Sequence, residues 1–194
     1  MSLILASASG IRRAMLDQVG LDYKVIPAEL DEGSVKAAHV GSIADLASKL
    51  AAEKALAVSR RYPTDWVIGS DSIAVVDDRA FDKPRDRDEA ADHLRVFSGK
   101  SLILNSSVAL AKGGKLEWGA ADAARLDVRA LSEDFIENYL AREWPAVSYC
   151  VGVFRFEGPG VELFDSVEGS HFTILGMPLL PLLGALRDVG ILQK

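Results

Sequence analysis

The chain has 194 residues, of which 49% are hydrophobic and 26% are charged, a globular composition that excludes wholesale disorder. This length allows a single domain or a pair of small lobes that share one core. The formal net charge of -6 has the wrong sign for a nonspecific nucleic-acid binder, so an anionic ligand would need a local cluster of basic side chains.

Hydrophobic periodicity and helix-end signals predict interleaved strands and helices along the chain. The predicted strands are residues 3–5, 23–26, 66–76, 102–111, 116–128, 147–156 and 161–167. The predicted helices are residues 10–20 with Ser9 as N-cap, 43–60 with Ser42 as N-cap, a helix from Asp86 to near Ser98, 132–142 and 178–189. Because several of the strands are joined by hairpins, the pattern predicts an α/β fold with a mixed sheet flanked by helices.

Other patterns exclude several classes of protein and site. The single cysteine, Cys150, excludes an internal disulfide and a CxxC metal site, which predicts a reduced, cytoplasmic protein. The apolar stretch at the N-terminus is too short for a signal peptide, and the longest uncharged stretch, residues 172–186, is too short to span a bilayer. We therefore expect neither a membrane nor a nucleic acid as partner. The phosphate-binding, dinucleotide-binding, zinc-protease and serine-hydrolase motifs do not occur.

Lys54 and Arg12 are basic residues at positions where the helical pattern calls for apolar ones. Lys54 falls about 20° from Ile43 on the predicted helix, so it either extends its stem to solvent or meets an anion. Arg12 falls in the first turn of the first helix, where backbone N–H groups are unpaired and the helix dipole is positive. With Ser7 and Ser9 just before it, this pattern indicates a phosphate-binding helix start, and a surface arginine is the alternative.

Acidic residues also occupy unexpected positions. Asp71 lies in the middle of a Val/Ile-rich strand, where a carboxylate needs a cation, a metal, a raised pKa or backbone N–H donors. Lys83 follows one hairpin later and could reach the same place. Asp31 and Glu32 follow the second strand, where a carboxylate could bind a divalent ion through water, and a solvated turn is the alternative. Together these cations and carboxylates suit metal-assisted attack on a polyphosphate.

A series of short segments along the chain resembles one known family. They are Ser7-Ala8-Ser9-Gly10-Ile11-Arg12-Arg13, Asp31-Glu32, Ala52-Glu53-Lys54-Ala55, Gly69-Ser70-Asp71-Ser72, Lys83-Pro84-Arg85-Asp86, Ser98-Gly99-Lys100, Phe156-Glu157-Gly158-Pro159-Gly160 and Leu175-Gly176-Met177-Pro178-Leu179. In this order they resemble the Maf family of nucleoside triphosphate pyrophosphatases, also called septum-formation-inhibitor-like proteins. The resemblance implies one domain over residues 1–194, with a cleft between two lobes similar to that of inosine triphosphate pyrophosphatases.

The resemblance also implies a reaction, in which water cleaves a nucleoside triphosphate to the monophosphate and pyrophosphate. Asp71 would be the base that activates water, and Glu32 would help to hold a divalent metal, Mg²⁺ or Mn²⁺. The residues expected to hold phosphates are Ser7, Arg12, Arg13, Lys54 and Lys83. Family members are commonly homodimers, so a homodimer is expected here.

Three positions bear on the choice of nucleotide, namely Ile11, Ser72 and Glu157. Glu157, in the segment Cys150–Gly158, resembles the branch that acts on 7-methyl-GTP, whereas the dTTP/UTP branch carries glutamine. A carboxylate only accepts hydrogen bonds, so it suits the adjacent N1–H and N2–H₂ donors of guanine, more so when methylation makes the base cationic. This favours 7-methyl-GTP or a related modified nucleotide, as a house-cleaning activity. Ile11 and Ser72 match neither branch, which leaves dTTP or UTP as an alternative substrate. For Glu157, the alternative is that it only caps a turn and does not contact a base. Gly10 stands where the family usually has proline, which leaves a non-catalytic, nucleotide-binding regulator of septum formation as a further alternative function.

Overall fold

The computed structural model describes residues 2–193. The strands are Leu3–Leu5 (β1), Lys24–Val25 (β2), Trp66–Val76 (β3), Arg79–Phe81 (β4), Ser101–Lys112 (β5), Lys115–Val128 (β6) and Phe164–Glu168 (β7). The α-helices are Gly10–Gln18 (α1), Glu32–Ala37 (α2), Ile43–Arg61 (α3), Arg87–Phe97 (α4), Glu133–Glu143 (α5), His171–Ile174 (α6) and Leu179–Asp188 (α7). Two 3₁₀ turns span Ala146–Tyr149 and Pro159–Leu163.

The strands within residues 2–193 form one mixed sheet in the order β2-β1-β3-β5-β6-β7, and β4 pairs with β3. Strand β1 is parallel to both β2 and β3, whereas β4 is antiparallel to β3 and β7 is antiparallel to β6. The prediction of an α/β fold with a mixed sheet is therefore confirmed. In the part of the chain that the structure describes, no helix has the length and low charge needed to cross a bilayer.

The described chain divides into two compact units. The first takes the residues up to Ser72, residues 105–122 and those from His171 onward, and the second takes Ile73–Leu104 and Ala123–Ser170. In the first unit, β1 is fully buried, and the apolar sides of α1 and α7 pack around Leu5 and Ile68. In the second unit, the core holds Tyr139 and an edge-to-face contact between Phe81 and Phe97.

Helix α3 lies directly against β3 in the first unit, and this contact positions the candidate site. A Cβ atom on Gly69 would lie 2.1 Å from the carbonyl oxygen of Ala51 and 2.6 Å from the backbone nitrogen of Ala55. Both alanines are fully buried. Because Gly69 lacks a side chain and α3 presents small ones, the backbones come close enough for Lys54 to reach the side chain two residues beyond Gly69.

The predicted strand over residues 147–156 is wrong. The segment begins as a 3₁₀ turn and continues through further turns, with Val153 at a φ of +56°. Its apolar side chains are buried separately, as in the edge-to-face contact of Phe154 with Phe164, rather than along one face of a strand. An apolar sequence pattern alone does not distinguish these cases. The predicted strand at 161–167 likewise begins only at Phe164, after a 3₁₀ turn.

Two short helices, α2 and α6, were not predicted. Helix α2 has six residues and begins after Asp31, whose carboxylate accepts a hydrogen bond from the backbone N–H of Ser34. A helix this short shows no complete 3.6-residue period, so its pattern is no different from that of a polar turn. Glu32 is thus the first residue of a helix, and the solvated turn expected for Asp31 and Glu32 is corrected to a capped helix start.

Replacing Gly69 by alanine is expected to lower the free energy of unfolding by about 1–3 kcal/mol, because the new methyl group would overlap the backbone of α3. Gly184→Ala in α7 is the control, since a Cβ atom there meets nothing within 4 Å. That change should raise the free energy of unfolding by roughly 0.5–1 kcal/mol, the usual helix preference of alanine over glycine. Urea denaturation of both variants measures the difference, and equal stabilities would contradict the proposed contact.

Candidate active site

A lysine and an aspartate form a largely buried ion pair where α3 meets β3. Lys54 Nζ lies 2.6 Å from Asp71 Oδ1, and the two side chains are 13% and 11% exposed. Each charge lowers the cost of removing the other from water. Of the alternatives that the sequence left open, the structure shows Lys54 with an anion and Asp71 with a cation, and the two describe one interaction.

A second carboxylate shares the same lysine. Lys54 Nζ lies 2.8 Å from Glu32 Oε1, and the Glu32 side chain is 42% exposed. Helix α2 positions it, because the cap at Asp31 fixes the first turn that Glu32 begins. The Arg12 guanidinium also acts electrostatically on both carboxylates, so these two basic and two acidic side chains form one balanced group of charges.

The guanidinium of Arg12 is hydrogen-bonded to other groups of the protein. Its Nε donates to the carbonyl of Gly176 at 3.0 Å and its Nη1 donates to the carbonyl of Ser70 at 2.9 Å. Further contacts join Nη1 to Ser7 Oγ at 3.3 Å and Nη2 to Ser72 Oγ at 3.2 Å. Burial lowers the pKa of the Arg12 guanidinium, and the nearby carboxylates oppose this change. The predicted phosphate-binding role of Arg12 stays a prediction, but the surface arginine is excluded.

The guanidinium of Arg12 also fixes the strand on either side of Asp71. Successive side chains of a strand point to opposite faces, so the side chains of Ser70 and Ser72 share one face and Asp71 has the other. Arg12 binds the backbone of Ser70 and the side chain of Ser72. The arginine thereby holds the strand from one face, while Asp71 points to Lys54 on the other.

Ser72 lies in a buried network of hydroxyl groups. Its Oγ is 2.9 Å from Ser106 Oγ and 3.0 Å from the carbonyl oxygen of Gly176. Ser106 Oγ donates to the carbonyl of Thr173 at 2.8 Å. Ser72 is a predicted specificity residue, but these partners could not be predicted, because they come from distant segments that no local sequence pattern connects to it. Gly176 and Ser70 lie in segments that resemble the family, but no sequence pattern indicated that their carbonyl groups accept hydrogen bonds from Arg12.

The remaining predicted residues of the first unit lie at the start of α1. Ser9 caps this helix as predicted, and its side chain accepts a hydrogen bond from the backbone N–H of Arg12. Ser7 is buried, and its Oγ accepts a hydrogen bond from the Ser9 N–H at 3.2 Å. Ile11 is half-buried, and Arg13 is exposed.

Lys83 and Glu157 belong to the second unit, where both lie near Cys150. Burial raises the pKa of the Cys150 thiol to about 11, Glu157 raises it further, and Lys83 lowers it. Both charged side chains are exposed. The structure thus brings Lys83 and Glu157 to one neighbourhood of this unit, although they are far apart in sequence. A raised pKa makes Cys150 a poor nucleophile near neutral pH.

Asp71 and Glu32 are the carboxylates to compare with the needs of a divalent metal ion, since both lie beside the same ammonium group. Across residues 2–193, no three side chains of His, Cys, Asp or Glu lie together as a metal-binding group. Magnesium in phosphate-handling sites typically takes one or two carboxylates, with substrate phosphates and water as its other ligands. Two carboxylates that both lie within 2.8 Å of one ammonium nitrogen fit that kind of site.

The fold and the site define a small α/β protein in which a largely buried carboxylate shares one lysine with a second carboxylate. The chain belongs to the Maf family, because the family model described as "Maf-like protein" matches residues 2–189. A protein of Granulibacter bethesdensis named nucleoside triphosphate pyrophosphatase is 50% identical over 191 residues, covering 97% of each chain. A protein of Rhizobium etli named 7-methyl-GTP pyrophosphatase is 45% identical over 194 residues, covering 98% of each. The family prediction is confirmed.

Among solved structures, the chain is similar to a Mycobacterium abscessus protein described as a nucleoside-triphosphatase and dITP/XTP pyrophosphatase. The two are 15% identical, with a TM-score of 0.48 over the full length of both chains.

Arg12→Lys is expected to lower the free energy of unfolding by about 1–3 kcal/mol. An ammonium group lacks the planar fork of arginine, so the carbonyl of Ser70 or Gly176 would lose its donor. Arg13→Lys is the matched control, because Arg13 is exposed on the same helix and should leave stability unchanged within about 0.5 kcal/mol. Urea denaturation measures both variants, and wild-type stability for Arg12→Lys would show that the guanidinium contacts do not hold the strand.

Proposed function

We propose that this chain is a nucleoside triphosphate pyrophosphatase, which uses water to cleave the bond between the α- and β-phosphates. The products are the nucleoside monophosphate and pyrophosphate. The observation that carries the proposal is the ion pair of Lys54 and Asp71, in a chain of the Maf family. The names of the relatives, nucleoside triphosphate pyrophosphatase and 7-methyl-GTP pyrophosphatase, support it.

Asp71 acts in this proposal as the general base. Its Oδ1 is paired with Lys54, and Oδ2 is left to take a proton from water. The water oxygen then bonds to phosphorus as the anhydride bond breaks, and the electron pair of that bond leaves with pyrophosphate. Arg12 holds the strand around Asp71, so the carboxylate is already oriented before substrate arrives.

Ser7, Arg13, Lys54 and Lys83 hold phosphate oxygens in this proposal, and Arg12 supports them electrostatically. The oxygen of Ser7 already accepts hydrogen bonds from the Ser9 N–H and from Arg12, which occupies both of its lone pairs. Its hydroxyl hydrogen is therefore left as the group that can donate to a phosphate oxygen. Lys54 is a compact ammonium with three rotatable donors, so it can bind a phosphate oxygen while it remains near Asp71. The role of Lys83 rests on the resemblance of its motif.

A divalent cation, Mg²⁺ or Mn²⁺, fits the carboxylates of Asp71 and Glu32. When bound it would offset negative charge on the phosphates and on the departing pyrophosphate. Glu32 is the more exposed of the two carboxylates, so a cation from solvent can replace Lys54 as its partner more easily than at Asp71.

We propose 7-methyl-GTP or a related modified nucleotide as the substrate. Glu157 is exposed and can accept hydrogen bonds from a guanine-type base. Relatives from Rhizobium etli and Rhizobium meliloti are named 7-methyl-GTP pyrophosphatase and are 45% and 42% identical to this chain. Ile11 and Ser72 match neither branch of the family, which keeps dTTP and UTP as the competing substrates to be tested.

We also propose that the protein acts as a homodimer in the cytoplasm, with residues 1–194 as one functional domain. The lone cysteine supports a reducing compartment. The apolar C-terminal segment serves mainly the core, since Leu179, Leu182 and Leu186 are buried there. Leu180 is 62% exposed on the same helix and remains available for a contact with a second copy.

Asp71→Asn is expected to lower the rate of pyrophosphate release at least 100-fold, because an amide cannot take a proton from water. Nucleotide binding and the folded state should persist, since asparagine has the same shape. Asp17→Asn is the control, as this exposed carboxylate only accepts a hydrogen bond from Tyr23. A pyrophosphate-release assay with Mg²⁺, with Mn²⁺ and with a chelator measures both variants. Normal turnover by Asp71→Asn would rule out its role as the base.

Glu157→Gln is expected to lower kcat/KM for 7-methyl-GTP relative to UTP by about tenfold or more, the effect of one hydrogen bond to a charged group. Glutamine offers both a donor and an acceptor, which suits a pyrimidine edge better than a carboxylate does. Glu162→Gln is the control in the same unit, because that carboxylate pairs with Arg142 on the surface. A panel of GTP, 7-methyl-GTP, dTTP and UTP gives the ranking, and an unchanged ranking would exclude Glu157 from base recognition.

A further inference from the structure

Glu157 lies in a tight turn whose first residue is Arg155. The backbone N–H of Gly158 donates to the carbonyl of Arg155 at 3.1 Å, so residues 155–158 form a hydrogen-bonded turn with Glu157 at its third position. The direction of the Glu157 side chain therefore depends on where the backbone of Arg155 is held.

A buried glutamate on α5 holds the side chain of Arg155. Glu143 is only 4% exposed at its side chain, and its carboxylate accepts hydrogen bonds from Arg155 Nε at 2.9 Å and from Arg155 Nη2 at 3.1 Å. Such a two-point contact fixes the plane of the guanidinium as well as its position. The contact with Glu143 raises the pKa of Arg155, so the arginine stays charged at every working pH.

The backbone on both sides of the turn is also fixed, by close packing after it and by a hydrogen bond before it. A Cβ atom on Gly160 would lie 2.5 Å from the carbonyl oxygen of Arg155 and 2.7 Å from its nitrogen, so the chain after the turn packs directly on Arg155. Before the turn, Val153 has a φ of +56°, and its carbonyl accepts a hydrogen bond from the buried Tyr139 hydroxyl at 3.0 Å. A β-branched residue keeps such a conformation only where its surroundings impose it, and strain of this kind concentrates at ligand-binding segments.

The contact with Glu143 also determines whether Arg155 pairs with Glu157. Arg155 acts electrostatically on Glu157 from two residues away, and its Nη2 lies beside Gly158, the residue after Glu157. A free guanidinium in this place would pair with Glu157 and occupy its acceptor oxygens. Because Glu143 holds the guanidinium through Nε and Nη2, Arg155 forms its ion pair with Glu143 and not with Glu157, whose carboxylate is left available to a ligand.

We propose that Glu143 and Arg155 are positioning residues for substrate selection, which hold the turn at Glu157 and keep its carboxylate open to a base with adjacent N–H donors. The inference rests on the proposed function, and it deepens that function by assigning the choice of base to an arginine held by a buried glutamate, outside the proposed phosphate-binding residues. Neither Glu143 nor Arg155 needs to touch the nucleotide for this role.

Two substitutions test the pair, Glu143→Gln and Arg155→Lys. The first removes the buried charge and frees Arg155 to pair with Glu157, and the second removes the fork that holds the turn. For each, the ratio of kcat/KM for 7-methyl-GTP to that for UTP should fall at least tenfold, while kcat for UTP changes less than twofold. Arg142→Lys is the matched control, because Arg142 lies in the last turn of α5, pairs with Glu162 on the surface and should leave the ratio unchanged.

A double-variant cycle separates positioning from general loss of structure. In the Glu157→Gln background, Glu143→Gln should cause no further change in the ratio, because the residue through which it acts is already altered. A purely structural role would lower activity toward all nucleotides in either background. Thermal unfolding of each variant, measured in parallel, gives the folded fraction by which rates are corrected.

The outcomes distinguish this inference from the proposed function. If Glu157→Gln changes the ratio but Glu143→Gln and Arg155→Lys leave it within twofold, the inference is overturned and base recognition by Glu157 stands. If Glu157→Gln also leaves the ratio unchanged, base recognition and the inference are both overturned, whereas the hydrolysis proposal stands. If the wild-type protein releases no pyrophosphate from any nucleotide, the proposed reaction itself is overturned, and the inference is overturned with it.

Discussion

The ion pair between Lys54 and Asp71 is the contact on which the rest of the site depends. A carboxylate within an apolar strand is costly unless a cation accompanies it, and here the cation comes from a neighbouring helix at 2.6 Å. The helix can supply it only because Gly69 and the alanines of α3 allow the two backbones to meet. Packing of small residues and burial of charge are therefore one structural requirement. Replacing Lys54 would leave the buried Asp71 without its cation, whereas replacing Asp71 would leave Lys54 paired with Glu32 alone.

The local charges explain why a triphosphate would need further cations. Arg12 and Lys54 are balanced by Asp71 and Glu32, so these four side chains together carry no net charge. A nucleoside triphosphate brings several negative charges into this balanced group, and the chain as a whole has a net charge of -6. In the proposed reaction, the additional positive charge would come from a divalent cation and from basic residues such as the exposed Arg13. A cation that takes its other ligands from substrate phosphates and water would not need a cage of three or more protein ligands.

The sequence predicted the unusual residues of the site better than it predicted their partners. Lys54, Asp71 and Arg12 could be found because each breaks an apolar pattern whose period is visible locally. The carbonyl of Gly176 could not be found, since it lies 164 residues from Arg12 and every residue has a carbonyl group. The mixed sheet was predictable from interleaved strands and hairpins. The segment 147–156 was not, because its apolar residues are buried one by one, and the left-handed backbone of Val153 has no sequence signal.

Arginine and lysine have different tasks in this protein, and the difference follows from their chemistry. Arg12 and Arg155 use their planar forks to hold backbone carbonyls or a buried carboxylate, and such multi-point contacts are lost if the side chain moves. Lys54 makes point contacts with two carboxylates, so it can add a phosphate oxygen to its partners at little cost in geometry. In the proposed function, the arginines thus keep Asp71 and Glu157 in place, and the lysine is the cation that binds the phosphate of the substrate. A guanidinium in place of Lys54 would retain the charge but lose this freedom, which is why the two basic side chains are not interchangeable in this site.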